Sequence, residues 1–367
     1  MKYYSLANIL KKNARYNMVF GERSNGKTYS VLDYAVREYF KTGKQIGVIR
    51  RWREDFKGKR GGAYFDNLVY NGNGENKIKE YSKGKYDHAI YFSGRWYMAY
   101  YDEELEKNVT APEPFAYAFA LTEMEHEKGN SYPLIDTILF DEFMSRGMYL
   151  PDEFVLFMNT LSTIIRHRDN VKIFMCANTV DMIGCPYFKE MGLKHVKEMK
   201  KGDIDVYEYG NSGLKVAVEY SDSPNRDGKP SDVYFAFDNA KLKMITSGDF
   251  ELDFYPHISN SIDKQDILFS YFIVFDDQLL QADVIQRGNE AFTFVHPKTT
   301  PIKHEDDDIV FTAEANTKYN YCGKLTKPIN KAVRKLYWFY LANKVFYSDN
   351  EVGEIVARYL FWCNNSK

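Results

Sequence analysis

The chain has 367 residues, room at roughly 150 residues per domain for about two domains with conventional cores. Hydrophobic residues make up 44% and charged residues 27%, which argues against a disordered tail protein. The 49 Lys plus Arg against 51 Asp plus Glu leave a formal net charge of −2, which argues against a histone-like binder held by bulk positive charge and leaves room for a local basic channel. The 30 Tyr and 26 Phe suit strand-rich segments and aromatic core packing; they do not by themselves imply base stacking. Cys176, Cys185, Cys322 and Cys363 are too sparse for a disulfide framework and lack C-x-x-C spacing, so a reducing cytoplasm is expected. Seven histidines show neither H-E-x-x-H nor Cys/His metal spacing. No signal peptide and no apolar run of about 18 residues is legible, and a soluble protein with no membrane partner is expected.

The first element in chain order is Tyr16 to Phe20, an apolar run ending at Gly21; a small polar loop then leads to a helical pattern from Lys27 to about Phe40. Gln45 to Arg50 reads as a second buried strand, and a helix between two such strands is the βαβ signature of a parallel sheet. Arg51 to Asp87, rich in Gly, Lys, Asn and Arg, reads as loop with short helical pieces. His88 to Tyr101 alternates around Ser93-Gly94, which predicts a hairpin, and Phe115 to Leu121 predicts another strand. The strongest apolar strand, Ile135 to Phe140, closes on Asp141-Glu142. Pro151 starts a predicted helix through Arg168, with Phe154, Phe157, Met158, Leu161 and Ile165 at helical spacing, and Val171 to Ala177 is the next buried strand.

Residues 221–232 concentrate turn formers with almost no apolar residue, and are the expected linker between a first domain over 1–220 and a second over 233–367. The second domain opens with strands at Val233 to Phe237 and Leu242 to Ile245 and carries an apolar run from Leu268 to Phe275. It ends in helical patterns over Ile329 to Val345 and Glu351 to Trp362. Strands followed by helices predict an α/β or α+β module.

Gly21-Glu22-Arg23-Ser24-Asn25-Gly26-Lys27-Thr28 matches G-x-x-x-x-G-K-[ST] in full, with a strand to launch it and a helix to follow. Glycines let backbone N–H groups wrap phosphates, and the positive end of the helix faces them. These eight residues and Tyr29 are the candidate nucleotide-binding set, with ATP and Mg2+ as the expected cofactors. Lys27 would reach the β- and γ-phosphates, and the Thr28 hydroxyl would ligate the metal. Asp141 would hold the hydrated magnesium, and Glu142 would polarise the attacking water. Standing alone, such an acidic pair is a solvated turn or a helix cap; the upstream loop gives it this meaning.

Asn178-Thr179-Val180-Asp181 has a superficial likeness to the N-K-x-D guanine reader but lacks the Lys. At the tip of the strand after the acidic one, Asn178 or Thr179 better fits a polar sensor beside the γ-phosphate than a guanine reader, with a plain turn as the other reading. Arg23 lies inside the phosphate loop and is placed to neutralise transition-state charge in cis. Arg166 and Arg168 end a helix and either reach a neighbouring subunit's nucleotide or only complement the helix C-terminus. Lys57, Lys59 and Arg60 form a flexible basic loop suited to a nucleic-acid backbone, or simply a solvated loop.

With Arg23 in its phosphate loop, Asp141-Glu142 at a strand end and the spacing from Arg166 and Arg168 to the sensor strand, the sequence resembles the genome-packaging ATPases of phi29-like bacteriophages. The resemblance spans most of the chain and is strongest over residues 1 to about 200, where Ala89-Ile90-Tyr91-Phe92-Ser93-Gly94 is also similar to terminase large subunits. It implies an α/β fold: an additional-strand, catalytic-Glu P-loop ATPase domain with a central parallel sheet and flanking helices, then a smaller RNase-H-like domain. Phe20, Phe140 and Ala177 should lie on neighbouring strands, with nucleotide at their C-terminal ends.

The resemblance further implies that Lys27, Thr28, Asp141 and Glu142 take the roles above and that Arg166 or Arg168 acts in trans. The expected assembly is a homopentameric ring in the host cytoplasm, transiently at the portal vertex of a procapsid, pumping double-stranded viral DNA inward. A structural packaging RNA is a further implied partner, and the second domain would dock the motor without nuclease activity. An active terminase would instead gather carboxylates there around two metals; Asp238 and Asp276-Asp277 end apolar runs, whereas Asp306-Asp307-Asp308 reads as a solvated acidic turn. The same phosphate loop and acidic pair would also serve a helicase-like ATPase acting on isolated DNA, or a non-catalytic scaffold that binds nucleotide only to assemble a ring.

Overall fold

Met18 and Phe20 pack into one core and Val19 into another, so the strand Tyr16–Gly21 (β1) is buried on both faces. The same alternation recurs in Ile135–Asp141 (β7) and Lys172–Asn178 (β8): Ile138, Phe140, Ile173 and Met175 face the first core, Leu139, Phe174 and Cys176 the second. Near-continuous apolar runs of this kind belong to parallel strands covered on both sides. The computed structural model describes residues 4–70, 74–127, 129–145, 149–179, 185–210, 213–222, 255–258, 262–288, 290–304 and 306–366. Two units are distinguished, residues 1–251 and 252–367.

The first unit is built on a ten-stranded sheet. Besides β1, β7 and β8 it contains Gln45–Arg50 (β2), the hairpin His88–Phe92 (β3) and Arg95–Asp102 (β4), Lys107–Thr110 (β5), Ala116–Ala120 (β6), Ile204–Tyr209 (β9) and Leu214–Ser221 (β10). The order is β3-β4-β6-β2-β7-β8-β1-β10-β9, with β5 paired to β4. The six strands from β6 to β10 in this order run parallel, while β3, β4, β5 and β9 attach antiparallel. As expected, Phe20 pairs with Ala177 and Phe140 with Met175, so β8 stands between the phosphate-loop strand and the acidic strand.

Lys27–Thr42 (α1) buries Val31, Leu32, Ala35 and Val36 against the sheet face of Val48 and Leu139. Gly43 ends it in the left-handed conformation at φ 72°, its N–H bonding to Tyr39 O. Glu153–Ile165 (α2) covers the other face through Phe157, Leu161 and Ile164. This helix is shorter than the predicted Pro151 to Arg168, because Asp152 and Arg166 both take positive φ. Residues 51–87 hold short helical turns, as predicted, but the basic segment is not a flexible loop: Lys59–Gly62 is a helical turn with Gly61 buried. Strands β5, β9 and β10 and the helix Pro186–Glu190 (α3) were not anticipated. Ile, Val and Tyr favour strand in β9 and β10, but charged residues break their apolar runs, so the two strands do not stand out as β1, β7 and β8 do. All four cysteines are buried free thiols, and no helix among the described residues is long and apolar enough to cross a membrane.

The linker expected at 221–232 lies, apart from Ser221 and Asp222, outside the described residues, as do Asp238 and the strands predicted at Val233 to Phe237 and Leu242 to Ile245. The second unit is a smaller α/β module whose five-stranded sheet has Ile267–Phe275 (β11), Gln278–Arg287 (β12) and Glu290–Pro297 (β13) as an antiparallel meander. Val310–Thr312 (β14) adds parallel to β11 and Val345–Tyr347 (β15) parallel to β13. Asp276-Asp277 is the two-residue turn of the first hairpin, both residues at positive φ, and Asp276 pairs with Arg358. The helical pattern predicted to run to Val345 stops as Leu336–Leu341 (α4), since Asn343 at φ 53° lets Lys344 N–H close on Phe339 O and the chain enters β15. Asn350–Asn365 (α5) follows, capped by Asp349.

Within this sheet Asp283 accepts hydrogen bonds from Ser270 Oγ (2.6 Å) and Gln281 Nε2 (2.8 Å), and its second oxygen lies 3.0 Å from His296 Nε2. The bond to Asp283 raises the His296 pKa despite burial, whereas burial pushes Asp283 up but the bonds from His296, Ser270 and Gln281 bring it below its ordinary value. The raised histidine stabilises the fold below its unfolded pKa of about 6.5 and loses that contribution as pH rises through the folded value. The lowered aspartate contributes above about 3.9 and loses its part as pH falls through its folded value. On raising the pH from about 6 to about 8, the thermal midpoint of the wild-type chain should therefore drop more than that of His296→Gln. Equal drops would deprive the pair of this role.

Candidate nucleotide site

The carboxyl ends of β1, β7 and β8 meet at one crevice, the place where open parallel sheets bind ligands. Gly21 leaves β1 at φ 153°, and a Cβ there would sit 2.3 Å from Ser221 Oγ, so only glycine passes. Ser221, at the end of β10, donates to Phe20 O at 3.0 Å and accepts from Asn25 Nδ2 at 2.9 Å, which ties the loop to its neighbouring strand. Gly26 enters α1 in the left-handed conformation at φ 92°.

Lys27 is buried within this loop. Its Nζ donates to Glu22 O at 2.6 Å, Asn25 Oδ1 at 3.1 Å and Gly21 O at 3.2 Å, and lies 3.5 Å from Asn178 Oδ1. Burial pushes its pKa down to about 8, partly offset by the neighbouring carboxylates of Asp141 and Glu22. Thr28 Oγ1 donates to Asp141 Oδ1 at 2.8 Å. Thr179 N–H donates to Gly21 O at 2.9 Å, fastening the tip of β8 to the loop.

The acidic pair is gripped from β2. Arg50 Nη1 lies 3.0 Å from Asp141 Oδ2, its Nη2 2.7 Å from Glu142 Oε2 and its Nε 3.5 Å from Asp55 Oδ2. Burial opposes the Arg50 charge, but the Asp141 and Glu142 carboxylates more than offset this and hold its pKa above the ordinary value. The Tyr64 hydroxyl donates to Asp141 Oδ2 at 3.1 Å. Burial and the Asp141 charge keep that phenol far above its usual range, so it is a donor at every working pH. Glu142 itself sits at φ 59°, an uncommon conformation for its residue type of the kind found where neighbours over-determine the backbone.

Those neighbours are identifiable. Arg51 donates to Phe143 O (3.0 Å) and to Glu142 O (3.3 Å), and its guanidinium forks onto Glu153 through Nε at 2.7 Å and Nη2 at 2.8 Å. Glu153 also accepts from Tyr187 OH at 2.6 Å and from Leu150 N–H at 2.8 Å. The peptide following the acidic pair is thus bolted to the first turn of α2.

The structure brings Lys27, Thr28, Asp141, Glu142 and Asn178 around one cavity of about 530 Å³, which Arg23, Ser24, Asn25, Gly26 and Tyr29 also line. Arg166 and Arg168 are elsewhere. Arg166 bonds Asn130 O at 2.7 Å, and Arg168 bonds Tyr132 O, Ile135 O and the helix carbonyls of Ile164 and Ile165. Ile135 opens β7 and Asp141 closes it, so within one chain these arginines lie at the opposite end of the strand from the crevice. Lys57 pairs with Glu54, and neither it, Lys59 nor Arg60 lines the cavity. Of the guanine-reader pattern, Val180 and Asp181 lie outside the described residues. Sequence reasoning missed Arg50, Arg51, Tyr64, Glu153 and Ser221. Arg50 had a signal, a cation closing an apolar strand as Asp141 does; Tyr64 and Ser221 had none.

A complete phosphate loop, an acidic pair at a strand end and an extra strand between the two define a P-loop NTPase of the additional-strand type. Residues 1–227 match the model of the Podovirus DNA encapsidation protein (Gp16) family, and the chain belongs to that family. It is 29% identical over 180 residues to the DNA packaging protein of Bacillus phage B103, covering 48% of each chain. It is 27% identical over 189 residues to that of Bacillus phage phi29, covering 51% of this chain and 49% of the relative. The chain thus matches about half the length of these curated relatives. Its fold is that of a chain in the bacteriophage phi29 viral genome packaging motor assembly, at TM-score 0.60 and 20% identity over 98% of this chain and 99% of that one.

Proposed function

We propose that this protein is an ATP-driven translocase that packages double-stranded viral DNA into a preformed procapsid. The observation that carries the reading is the meeting of Lys27, Thr28, Asp141 and Glu142 at the carboxyl ends of β1 and β7, with β8 between them, in a chain of the DNA encapsidation family. The loop N–H groups and Lys27 would bind the ATP phosphates, the ammonium exchanging its loop carbonyls for phosphate oxygens. Asn178, beside that ammonium, would sense the γ-phosphate.

Thr28 and Asp141 supply hard oxygen donors already in mutual contact, a set that fits Mg2+. A metal held there by Thr28 and Asp141 would supply charge neutralisation to the bound phosphates. Glu142 would orient the attacking water and take its proton through a carboxylate whose Oε2 is otherwise paired to Arg50. Arg23 would act in cis from the cavity wall. Arg166 and Arg168, remote from the crevice of their own chain, would serve the adjoining subunit of a ring, five subunits being the number the family reading suggests.

Lys57, Lys59 and Arg60, on a turn where the Lys57 side chain is 62% exposed, would contact the DNA backbone. The second unit, read as RNase-H-like without nuclease activity, would dock the ring at the portal of the procapsid, with a structural packaging RNA as a further partner. The domain division proposed is a motor domain over 1–220, a linker over 221–232 and a docking domain over 233–367, working in the host cytoplasm.

Steady-state ATP hydrolysis with Mg2+, measured across a protein concentration series with and without double-stranded DNA, tests the reading against Lys27→Ala as the blank. Turnover should rise with both protein concentration and DNA, because arginines acting in trans need a neighbour. Turnover no higher than the blank, even with procapsids added, would sink the motor and favour a nucleotide-dependent scaffold.

A further inference from the structure

Asp141 is held by donors from three separate segments. Thr28 Oγ1 lies 2.8 Å from Oδ1, while Arg50 Nη1 at 3.0 Å and the Tyr64 hydroxyl at 3.1 Å share Oδ2. The two donors on Oδ2 are not equivalent. Arg50 divides its guanidinium among Asp141, Glu142 and Asp55, so any movement that follows Glu142 draws it from Asp141. Among the described residues the Tyr64 hydroxyl bonds to Asp141 alone, and it carries no charge to compete with a cation.

The Tyr64 ring is fixed by its surroundings. Its centroid lies 5.6 Å from those of Phe65 and Trp96 and 6.5 Å from that of Phe56. Trp96 is fully buried and donates its indole N–H to Gly61 O at 2.7 Å, three residues before Tyr64. Gly61 cannot shift inward, since a Cβ there would already lie 2.4 Å from Phe56 O and 2.7 Å from the Tyr91 ring. An aromatic cage anchored on the antiparallel strand β4 thus sets where this one hydroxyl stands. A carboxylate pinned through one oxygen by a fixed donor presents its other oxygen in one orientation, which is how outer partners tune a metal ligand.

We propose that Tyr64 is a positioning residue for the metal-binding carboxylate: its hydroxyl holds Asp141 in the rotamer in which Asp141 and Thr28 together receive Mg2+ with the nucleotide. This rests on the nucleotide and metal reading of the site given above, and the test separates the two. Binding of N-methylanthraniloyl-ATP to the full chain is followed by fluorescence while Mg2+ is titrated, for wild type, Tyr64→Phe and Asp141→Asn. Tyr64→Phe keeps the ring and its packing, so nucleotide binding without metal should match wild type, and the thermal midpoint should fall only by the loss of one hydrogen bond to a carboxylate.

The Mg2+ concentration giving half of the metal-dependent gain in binding should rise about tenfold or more in Tyr64→Phe, in line with the cost of removing an outer-shell partner. Asp141→Asn should shift it further in the same direction. A Tyr64→Phe midpoint equal to wild type overturns the proposal. Loss of metal-free binding in Tyr64→Phe also overturns it, by making the hydroxyl a general structural contact. A wild-type chain that binds no nucleotide at all overturns the reading of the site and takes the proposal with it, a result no variant comparison can imitate.

Discussion

Glu142→Gln is expected to lower ATP turnover by about 10²–10⁴-fold, the usual worth of a positioned general base, while the chain still binds nucleotide. The amide is isosteric and keeps an oxygen to accept from Arg50 Nη2, 2.7 Å away in the wild-type protein, so the local structure has no reason to change. What it loses is the capacity to take a proton. Lys27, Thr28 and Asp141 are untouched by the substitution, and their mutual contacts do not run through Glu142. Single-turnover hydrolysis beside equilibrium nucleotide binding separates the two effects. Retained turnover would remove Glu142 from the chemistry; lost binding would make it a structural residue.

Glu153→Ala is expected to destabilise the first unit by about 3–5 kcal/mol, the range for removing one partner of a buried ion pair. Glu153 is 2% exposed and Arg51 6%, and truncation would strand the guanidinium among apolar neighbours with its fork unpaired. Tyr187 OH and Leu150 N–H would lose their acceptor as well. The cost should reach the site, because the same Arg51 donates to the backbone of Glu142 and Phe143. Denaturant unfolding of wild type, Glu153→Ala and the double variant Arg51→Met/Glu153→Leu would check this. The double variant should recover much of the stability, since no uncompensated charge remains, yet still turn over ATP slowly because Glu142 has lost its clamp. Equal stability of wild type and Glu153→Ala would show that the pair contributes nothing net.

The phosphate loop, its strand and helix, the acidic pair and the strand ending at Asn178 are all legible in the sequence. Their information is local: Gly21 and Gly26 lie within seven residues of Thr28, and each buried strand announces itself as one apolar run. The βαβ signature then forces parallel neighbours, and the acidic strand could only join the same sheet. Helix ends are less legible. The backbone at Asp152, Arg166 and Asn343 turns to positive φ where tertiary contacts demand it, not where propensity places a stop.

The second half of the site comes from elsewhere in the chain. Tyr64 reaches Asp141 across 77 positions, Arg50 across 91, Arg51 reaches Glu153 across 102, and Asn25 meets Ser221 across 196. No periodicity or motif encodes such pairs, since each partner alone is an ordinary tyrosine in a turn, a cation at a strand end or a serine closing a strand. The sequence by itself therefore determined which groups gather at the crevice, because a phosphate loop and an acidic strand end are short local patterns. Only the tertiary structure decided which groups hold them in place, because that depends on the order of strands in the sheet. With β2 beside β7 and β10 beside β1, Ser221 arrives at the crevice from a segment that carries no mark of it, and Arg50 from one marked only by a cation closing an apolar strand.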